Sequence, residues 1–237
     1  MAQRECTKGL ISTYLEYTRP QQSPGIFHTW AIISAIASSL RRRVWMDRGF
    51  YILYPNLYTI FVSESGVGMK STAFKIGIEL LGKAVPDLTI MRGKLTPGYL
   101  IEWMAQAMGK NPGGLAEVTI FASEFKVFAQ GMYANSGLLE DLTDLYDNGV
   151  FEYRTKNMGI HKIEKPCINL AACSTPDWLA AGSAADFIGG GFSSRILTVA
   201  LVKDEKSIAW PKKSAISLDV EPKLIADLAT IAKLTGV

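Results

Sequence analysis

Cysteine and histidine are scarce in this sequence, which has three cysteines and two histidines among 237 residues. The cysteines, Cys6, Cys167 and Cys173, do not have the spacing of metal ligands, and their odd number argues against a disulfide framework. The histidines, His28 and His161, are too few and too scattered for a zinc site. We therefore expect a protein of a reducing compartment, with neither structural disulfides nor structural zinc.

Long apolar runs and a secretory signal are also missing. The longest apolar runs, such as residues 30–37, are far too short to span a bilayer, and residues 1–7 are polar and do not open a signal peptide. Hydrophobic residues make up 48% of the chain and charged residues 20%, which is typical of a soluble globular protein. We expect a cytoplasmic protein without a membrane partner. The net charge of +3 permits a nucleic-acid partner without requiring one.

The apolar pattern predicts an α/β fold in which helices sandwich a mostly parallel sheet. Residues 1–50 are expected to form an N-terminal helical segment and a β-hairpin that pack on the core. Residues 51–210 alternate between buried strands and helices and form that core. Residues 211–237 form a lysine-rich tail that ends on a helical pattern, and we expect the full protein to extend beyond it.

The boundaries of these elements follow from caps, turns and apolar runs. The first helical region, Leu10–Arg43, is broken at Arg19–Gly25. One hairpin turns at Asp47–Gly49 and a second at Lys156–Gly159. The expected core strands are Leu57–Ser63, Leu88–Arg92, Glu117–Ser123, Cys167–Ser174 and Arg195–Val202, and the expected core helices are Ser71–Lys83, Pro97–Met108 and Gly137–Tyr146.

A glycine-rich loop, "SESGVGMKST", lies between a predicted strand and a predicted helix. It is similar to the phosphate-binding pattern G-x-x-x-x-G-K-S/T, in which consecutive backbone N–H groups and a helix N-terminus surround a triphosphate. In that arrangement Lys70 can reach the outer phosphates and the hydroxyl of Ser71 can ligate Mg²⁺. The expected ATP-binding residues are Ser65, Gly66, Val67, Gly68, Met69, Lys70, Ser71 and Thr72.

Two alignments with that pattern remain open. If the lysine is the anchor, Glu64 and Met69 replace the two defining glycines. If "SGVG" is the anchor, the loop is one residue longer than usual and Met69 is the insertion. The plain alternative is an ordinary glycine turn between a strand and a helix, but the strand before the loop and the lysine and hydroxyl residues after it favour phosphate binding.

Two further strand ends carry residues of the kind an ATPase needs. "VTIFASEF" ends an apolar strand with Ser123, in the place of the usual Asp, and Glu124, which we expect to orient or activate the attacking water and to hold Mg²⁺ with Ser123. "CINLAACST" ends another strand with Ser174 and Thr175, and Thr175 is a candidate for positioning the γ-phosphate or the water. The alternatives are a solvent-facing glutamate and a helix N-cap.

Two groups of cations are candidates for further roles. Arg195 follows a glycine run and could stabilise the transferring phosphoryl group of a neighbouring subunit, or could simply pair with a surface carboxylate. Arg154, Lys156 and Lys162 occupy the second hairpin together with aromatic residues, a composition that fits single-stranded nucleic acid. A solvated hairpin whose lysines prevent edge-to-edge pairing is the alternative.

Six segments occur in an order that resembles one family. They are "YPNLYTIFVSESGVGMKST", "LTPGYLIEWMAQ", "FASEF", "LYDNGVFEYRTKNMG", "NLAACSTPDWL" and "GGGFSSRIL". The order resembles a helicase-like P-loop ATPase family of phage and plasmid replication proteins, a group often described only as a domain of unknown function. The resemblance extends over Phe27–Val202, and members of the family often have an irregular loop before the Lys-Ser pair.

The resemblance implies an ASCE-type core, RecA-like or AAA+, that assembles into a hexameric ring and moves on single-stranded DNA in the host cytoplasm. It implies an ATP-hydrolysing replicative helicase. The residues themselves leave two alternatives open. One is a nucleotide-binding switch, loader or assembly module with weak or no hydrolysis, because Glu64, Met69 and Ser123 depart from the pattern. The other is an α/β domain whose glycine loop has only a structural role.

Overall fold

The computed structural model describes most of the chain, namely residues 9–110, 112–128, 137–155, 159–180, 191–201, 208 and 215–236. The helices are α1 (Leu10–Thr18), α2 (Gly25–Leu40), α3 (Lys70–Ala84), α4 (Pro97–Lys110), α5 (Leu138–Tyr146), α6 (Pro176–Ala180) and α7 (Ala215–Ile231). The strands are β1 (Met46–Asp47), β2 (Ile52–Leu53), β3 (Tyr58–Val62), β4 (Thr89–Arg92), β5 (Ala116–Ala122), β6 (Phe151–Thr155), β7 (Gly159–Ile163), β8 (Pro166–Ser174) and β9 (Ile196–Ala200).

A five-stranded sheet in the order β4-β5-β8-β3-β9 forms the centre of the fold, and all of its strand pairs are parallel. Every residue of β3, β5 and β8 is buried, which is why these strands are mainly apolar in the sequence, with a few buried polar residues such as Glu117 and Asn169. The prediction of an α/β fold with a mostly parallel sheet between helices is confirmed. The predicted boundaries of the core strands and helices agree with the observed ones to within two residues, whereas the first helical region ends at Leu40 rather than at Arg43.

Helices cover both faces of this sheet. On one face α1, α2, α3 and α7 share a core in which the ring of Phe61, on β3, stacks between those of Phe27 and Phe74 at centroid distances of 4.6 and 3.6 Å. On the other face α4 and α5 pack on the sheet through fully buried side chains such as Leu100 and Leu142. Burying one such side chain stabilises a fold by roughly 1.5–3 kcal/mol.

After the neighbouring strands β3 and β8, the chain turns to opposite faces of the sheet. After β3 it enters α3, which packs on the first face, whereas after β8 it enters α6, whose Trp178 packs on the second face. A crevice forms at the carboxyl ends of neighbouring parallel strands where the chain diverges in this way, and ligands of open α/β sheets bind there. The residues that follow Val62 and Ser174 therefore border such a crevice.

The C-terminal helix α7 belongs to the first-face core rather than to a separate unit. Leu224 and Leu228 are fully buried in the same cluster as the side chains of α1, α2 and α3. Farther along, Gly236 pairs with Val44 and exchanges backbone hydrogen bonds with Arg43 and Trp45. Residues 211–214 of the expected tail lie outside the described residues.

Two hairpins project from the end of the sheet where the strands begin. The first, which we call the apolar arm (residues 45–54), turns at Arg48–Tyr51, which overlaps the predicted turn at Asp47–Gly49, and its strands β1 and β2 are exposed. Its Phe50 side chain is completely exposed and Tyr51 is 60% exposed. The second hairpin pairs β6 with β7. Among the described helices, none is long and apolar enough to cross a membrane.

Candidate nucleotide-binding site

The glycine loop directly follows β3 and ends where α3 begins, at Lys70. Gly66 and Gly68 have φ angles of 76° and 72°, and Met69 has a φ of 45°. Alternation between left-handed and ordinary backbone conformations turns successive N–H groups toward one side, which forms a nest for an anion. The loop therefore mixes left-handed and ordinary conformations, as anion-binding nests do.

Most amides of this loop have no acceptor in the part of the chain that the structure describes. No residue in the described ranges accepts a backbone hydrogen bond from the N–H groups of Ser65, Gly66, Gly68, Met69, Lys70 and Ser71. By contrast, the amide of Val67 donates to the carbonyl of Glu64 at 3.2 Å and closes a turn. Since the α3 N-terminus adds its partial positive charge at the same place, an anion is the group best suited to accept these bonds.

The backbone conformation of Met69 favours one of the two alignments with the phosphate-binding pattern, the one anchored on Lys70. Met69 adopts a left-handed conformation that favours glycine, and it stands directly before the lysine, where the pattern has glycine. Glu64, at the position of the first glycine, has an ordinary negative φ and an exposed side chain. The loop thus keeps the backbone of the lysine-anchored alignment at its second glycine, where the side chain of Met69 is 41% exposed.

Gly68 is required by packing as well as by its φ angle. A Cβ at this position would lie 2.7 Å from Cδ2 of Leu201 and 3.0 Å from Cε2 of Phe27. A Cβ at Gly66 would meet no atom within 4 Å. The loop therefore rests on the apolar core at Gly68 and is open to solvent at Gly66, on the side that an incoming ligand would approach.

Lys70 is already engaged by its own loop. Its Nζ donates to the carbonyl oxygen of Ser63 at 2.7 Å, to Ser63 Oγ at 2.9 Å and to the carbonyl oxygen of Glu64 at 3.0 Å. Partial burial lowers the pKa of Lys70, while the carboxylate of Glu64 acts in the opposite direction, as would the thiolate of Cys173. Burial raises the pKa of the Cys173 thiol to about 12, so this neighbour is uncharged at neutral pH.

The acidic strand end lies one strand away from the loop. The register pairs Val62 with Ser174 and Ala122 with Ala172, so the residues that follow β3, β5 and β8 emerge at one edge of the sheet. Ser123 and Glu124 follow β5 there and are both exposed. The intervening strand, β8, supplies Thr175 at the same edge.

A cleft of about 390 Å³ joins these residues. That volume lies within the range of small-molecule sites. Phe125 and Trp178, whose rings meet edge to face at 5.3 Å, lie within the segments "FASEF" and "NLAACSTPDWL", but neither has a role predicted from the sequence. Lys126 directly follows "FASEF" and belongs to no motif. The complete lining is Ser65, Gly66, Lys70, Ser71, Ser123, Glu124, Phe125, Lys126, Cys173, Ser174, Thr175 and Trp178. A smaller cavity of about 140 Å³ adjoins it at Val67 and Met69.

The cleft contains oxygen donors suited to Mg²⁺, namely the hydroxyls of Ser71 and Ser123 and the carboxylate of Glu124. Within the described residues, no three His, Cys, Asp or Glu side chains are grouped as metal ligands. Mg²⁺ usually keeps several waters and binds through one or two protein groups together with substrate phosphates. The donor set therefore fits a magnesium ion that is held jointly with a nucleotide.

Arg195 lies at the other end of the sheet. It precedes β9, whose Ile196 pairs with Tyr58 at the start of β3, so about 20 Å of strand separates it from the loop of its own chain. Its guanidinium donates to Asp147 at 2.7 and 3.3 Å and to the carbonyl of Gly191 at 3.0 Å. The hydrogen bond with Asp147 raises the pKa of Arg195. Within one chain, Arg195 cannot reach the cleft.

The predicted nucleic-acid residues lie on the second hairpin, also away from the cleft. Arg154 pairs with Glu152 on the same strand, and Lys162 pairs with Glu164 at 2.7 Å. Both pairs are exposed to solvent. Lys156 lies outside the described residues. The composition of this hairpin is thus basic and aromatic, but its described cations have carboxylate partners.

A larger cleft, of about 750 Å³, lies at the opposite end of β4 and β5. Its most buried cation is Arg41, which is 6% exposed and pairs with Asp87 at 2.8 Å and with Glu117 at 3.6 Å. These ion pairs join the end of α2 to the sheet and to the turn before β4. The cleft of about 750 Å³ therefore contains a network of structural ion pairs, whereas the cleft of about 390 Å³ contains the glycine loop.

A scan against known protein families finds none that matches this chain, and a search of curated proteins finds no match either.

Proposed function

We propose that this chain is a P-loop ATPase with an ASCE-type core, RecA-like or AAA+, that works as a ring-forming motor on DNA, as a phage or mobile-element replicative helicase does. One observation carries the proposal. A glycine loop with unpaired amides, the lysine that follows it and an acidic strand end line one crevice at the carboxyl edge of a parallel sheet. This combination suits a nucleoside triphosphate and a water that attacks it.

The loop residues are suited to holding the β- and γ-phosphates. The amides from Ser65 to Ser71 would donate to phosphate oxygens, and Lys70 would exchange the carbonyl oxygens it now contacts for those of the phosphates. Ser71, Ser123 and Glu124 would hold Mg²⁺ together with the nucleotide, and the ion would neutralise part of the phosphate charge. Ser123 is uncharged, so it contributes less to holding the metal than an aspartate would.

Glu124 is the group best suited to activate water. A water oxygen forms a bond to the γ-phosphorus while the bond to the bridging oxygen breaks, and that electron pair stays on ADP. The carboxylate of Glu124 accepts the proton that the water loses, and the products are ADP and inorganic phosphate. Thr175, at the end of the intervening strand, would donate its hydroxyl to the γ-phosphate or to the water.

The apolar arm supports self-association. It exposes six large apolar side chains in a short hairpin, and monomeric proteins rarely expose such a contiguous patch. Asp47 and Arg48 cancel in charge, which gives the arm no attraction for a polyanion. A second copy of the chain is the partner we propose for it, in a ring whose members would bring Arg195 toward a neighbour's nucleotide. The exposed side chains are Trp45, Met46, Phe50, Tyr51, Ile52 and Leu53.

Single-stranded DNA is the proposed track, and the second hairpin is the proposed contact. Arg154 and Lys162 would exchange Glu152 and Glu164 for DNA phosphates. Exposed ion pairs of this kind contribute little to stability because water screens them, so the exchange costs little. Binding through these cations would weaken as salt concentration rises, because each phosphate contact releases counterions.

ATP turnover, measured with and without single-stranded DNA, tests the function. We expect turnover that DNA stimulates and that Lys70→Ala abolishes. Lys75→Ala is the matched control, because Lys75 lies on the same helix, is 69% exposed and pairs only with Glu79 among the described residues. Equal turnover in the wild type and Lys70→Ala would remove the proposal.

A nucleotide-binding switch, loader or assembly module is the second candidate, and the neutral Ser123 favours it. Such a module would bind ATP tightly and release phosphate slowly or not at all. Following ATP binding and phosphate release in the same titration separates it from the motor.

A further inference from the structure

Lys126 is a second cation in the cleft that holds Lys70, Glu124 and Thr175. Its side chain is exposed, and no residue in the described parts of the chain forms a hydrogen bond or ion pair with it. The other cations considered above differ in this respect. Lys70 is bonded to its own loop and Arg195 to Asp147. Lys126 is thus a lysine in the cleft whose ammonium has no described partner.

The backbone that carries Lys126 is firmly anchored. Residues 125–128 form a helical turn after β5, in which the amides of Val127 and Phe128 donate to the carbonyl of Glu124. Phe125 and Phe128 lie three residues apart on one face of this turn and are 0% and 1% exposed. The aromatic ring of Phe125 also contacts that of Trp178. Because the buried face is fixed, Lys126 is directed away from the core and toward the cleft.

The proposed reaction needs more positive charge than Lys70 supplies. Negative charge spreads over the three oxygens of the γ-phosphoryl group as it transfers, and motors of this kind meet that charge with an additional cation. Arg195 of the same chain is at the far end of the sheet, about 20 Å of strand away. Lys126 is already on the side of Glu124 and Thr175, where the γ-phosphate would lie.

We infer that Lys126 is a catalytic residue of its own protomer's site. Its ammonium binds oxygens of the γ-phosphoryl group and stabilises the charge that develops there while the bond to the bridging oxygen of ADP breaks. Lys126 neither gains nor loses a proton in this step. The inference rests on the proposed ATPase function, and it assigns to a residue of the same chain a role that would otherwise fall entirely to a neighbour's arginine.

The test compares Lys126→Met, which keeps the length of the side chain without its charge, with Lys126→Arg and with the control Lys75→Met. We expect Lys126→Met to lower kcat by roughly 10²–10³-fold with little change in KM, because an interaction made mainly in the transition state is lost. Lys126→Arg should recover part of that loss. The affinity for ADP with aluminium fluoride, a mimic of the transferring group, should fall by a similar factor in Lys126→Met, while the affinity for ADP alone stays unchanged.

Equal kcat values and equal affinities for the mimic in the wild type and Lys126→Met would overturn the inference and leave the ATPase proposal standing. If the wild type binds ATP without turnover, the mimic alone decides the role of Lys126. A wild type that binds no ATP removes both proposals. Mixing Lys126→Met with Lys70→Met tests the assignment to one protomer. We expect the mixture to stay inactive, and recovered turnover would show that Lys126 acts across a subunit boundary.

Discussion

The ammonium nitrogen of Lys70 lies 2.7 Å from the carbonyl oxygen of Ser63, and so the first residue of α3 is tied to the end of β3. Two further bonds, to Ser63 Oγ and the carbonyl of Glu64, use the remaining donors of that ammonium. A nucleotide has to replace these oxygens with its own. Lys70 therefore has a structural role in the loop as well as the proposed role in binding, and experiments on it need a measure of folding.

Replacing Lys70 by Met should weaken the binding of Mg²⁺ and a nonhydrolysable ATP analogue by roughly 10–100-fold, since a hydrogen bond to a charged group contributes about 1.5–3 kcal/mol. Titration calorimetry measures the change, and circular dichroism checks that the variant is folded. Lys75→Met, on the exposed side of the same helix, should bind like the wild type. Unchanged affinity in a folded Lys70→Met variant would contradict a role in binding.

Met69→Gly should stabilise the fold without loss of nucleotide binding. A left-handed conformation at a non-glycine residue lowers the free energy of unfolding by about 1–3 kcal/mol, and glycine removes this strain. Glycine also makes the unfolded chain more flexible, which offsets about 0.4–1 kcal/mol of that gain. Thermal unfolding should therefore shift upward by a few degrees, at about 2–4 °C per kcal/mol. Met69→Ala keeps the strain and serves as the control. A lower melting temperature for Met69→Gly would show that the methionine side chain stabilises the loop.

Gly68→Ala and Gly66→Ala form a matched pair, because both residues have φ angles above 70° but only Gly68 is packed. Both variants should lose stability through the backbone. Gly68→Ala should lose an additional 1–3 kcal/mol or so, since its Cβ meets Leu201 and Phe27. Urea unfolding measures both values. Equal losses would mean that the core yields to the extra methyl group.

Arg195 and Asp147 can be separated by single substitutions. If Arg195 acts on a neighbour's nucleotide, Arg195→Ala should abolish most turnover while Asp147→Asn, which releases the guanidinium, should retain it. If Arg195 only fastens β9 to the end of α5, both variants should show similar turnover and similar small losses of stability. Steady-state turnover and thermal unfolding of the two variants distinguish these results.

Removing the aromatic groups of the apolar arm should weaken self-association. Phe50→Ser and Tyr51→Ser together remove the two most exposed of its rings, and because they contact no core they should leave the melting temperature of the monomer unchanged. Sedimentation velocity across a range of concentrations should show a dissociation constant at least ten-fold higher, since central aromatic residues contribute about 2 kcal/mol or more to interfaces. An unchanged assembly would assign the arm to a different partner.

Asp141 should make stability depend on pH. Burial raises the pKa of Asp141 from 3.8 to about 6, with Glu140 and Asp144 adding to the effect. Between pH 3.8 and 6 the folded state binds more protons than the unfolded state, so its stability falls as pH rises through this window. Asp141→Asn should therefore stabilise the protein at pH 7, and the gain should disappear near pH 4. A gain that is equal at both values would exclude the titration of Asp141 as its cause.

The sequence predicted most of the elements but not how they assemble. Strands such as β8 are mainly apolar, and the turn near Gly49 and the cap at Thr96 have local signals, so their positions follow from nearby residues. The order of the strands depends on contacts far apart in the chain, and the sequence has no direct signal for it.

In the candidate site, too, the sequence predicted some residues and only the fold shows the others. Lys70, Ser71 and Glu124 belong to recognisable patterns, and the parallel sheet brings them to one crevice. Lys126 has no pattern of its own, because its position depends on the burial of Phe125 and Phe128 beside it. The pairing of Arg195 with Asp147 joins residues far apart in the sequence, and only the fold brings them together.

Hydrogen exchange at the glycine loop tests the central claim most directly. The amides of Gly66, Gly68 and Ser71 have no backbone acceptor among the described residues, so they should exchange rapidly in the free protein. With Mg²⁺ and a nonhydrolysable ATP analogue, exchange measured by NMR should slow by ten-fold or more at these amides and not at the exposed turn near Gly49. Unchanged exchange at the loop in the presence of saturating analogue would contradict the account.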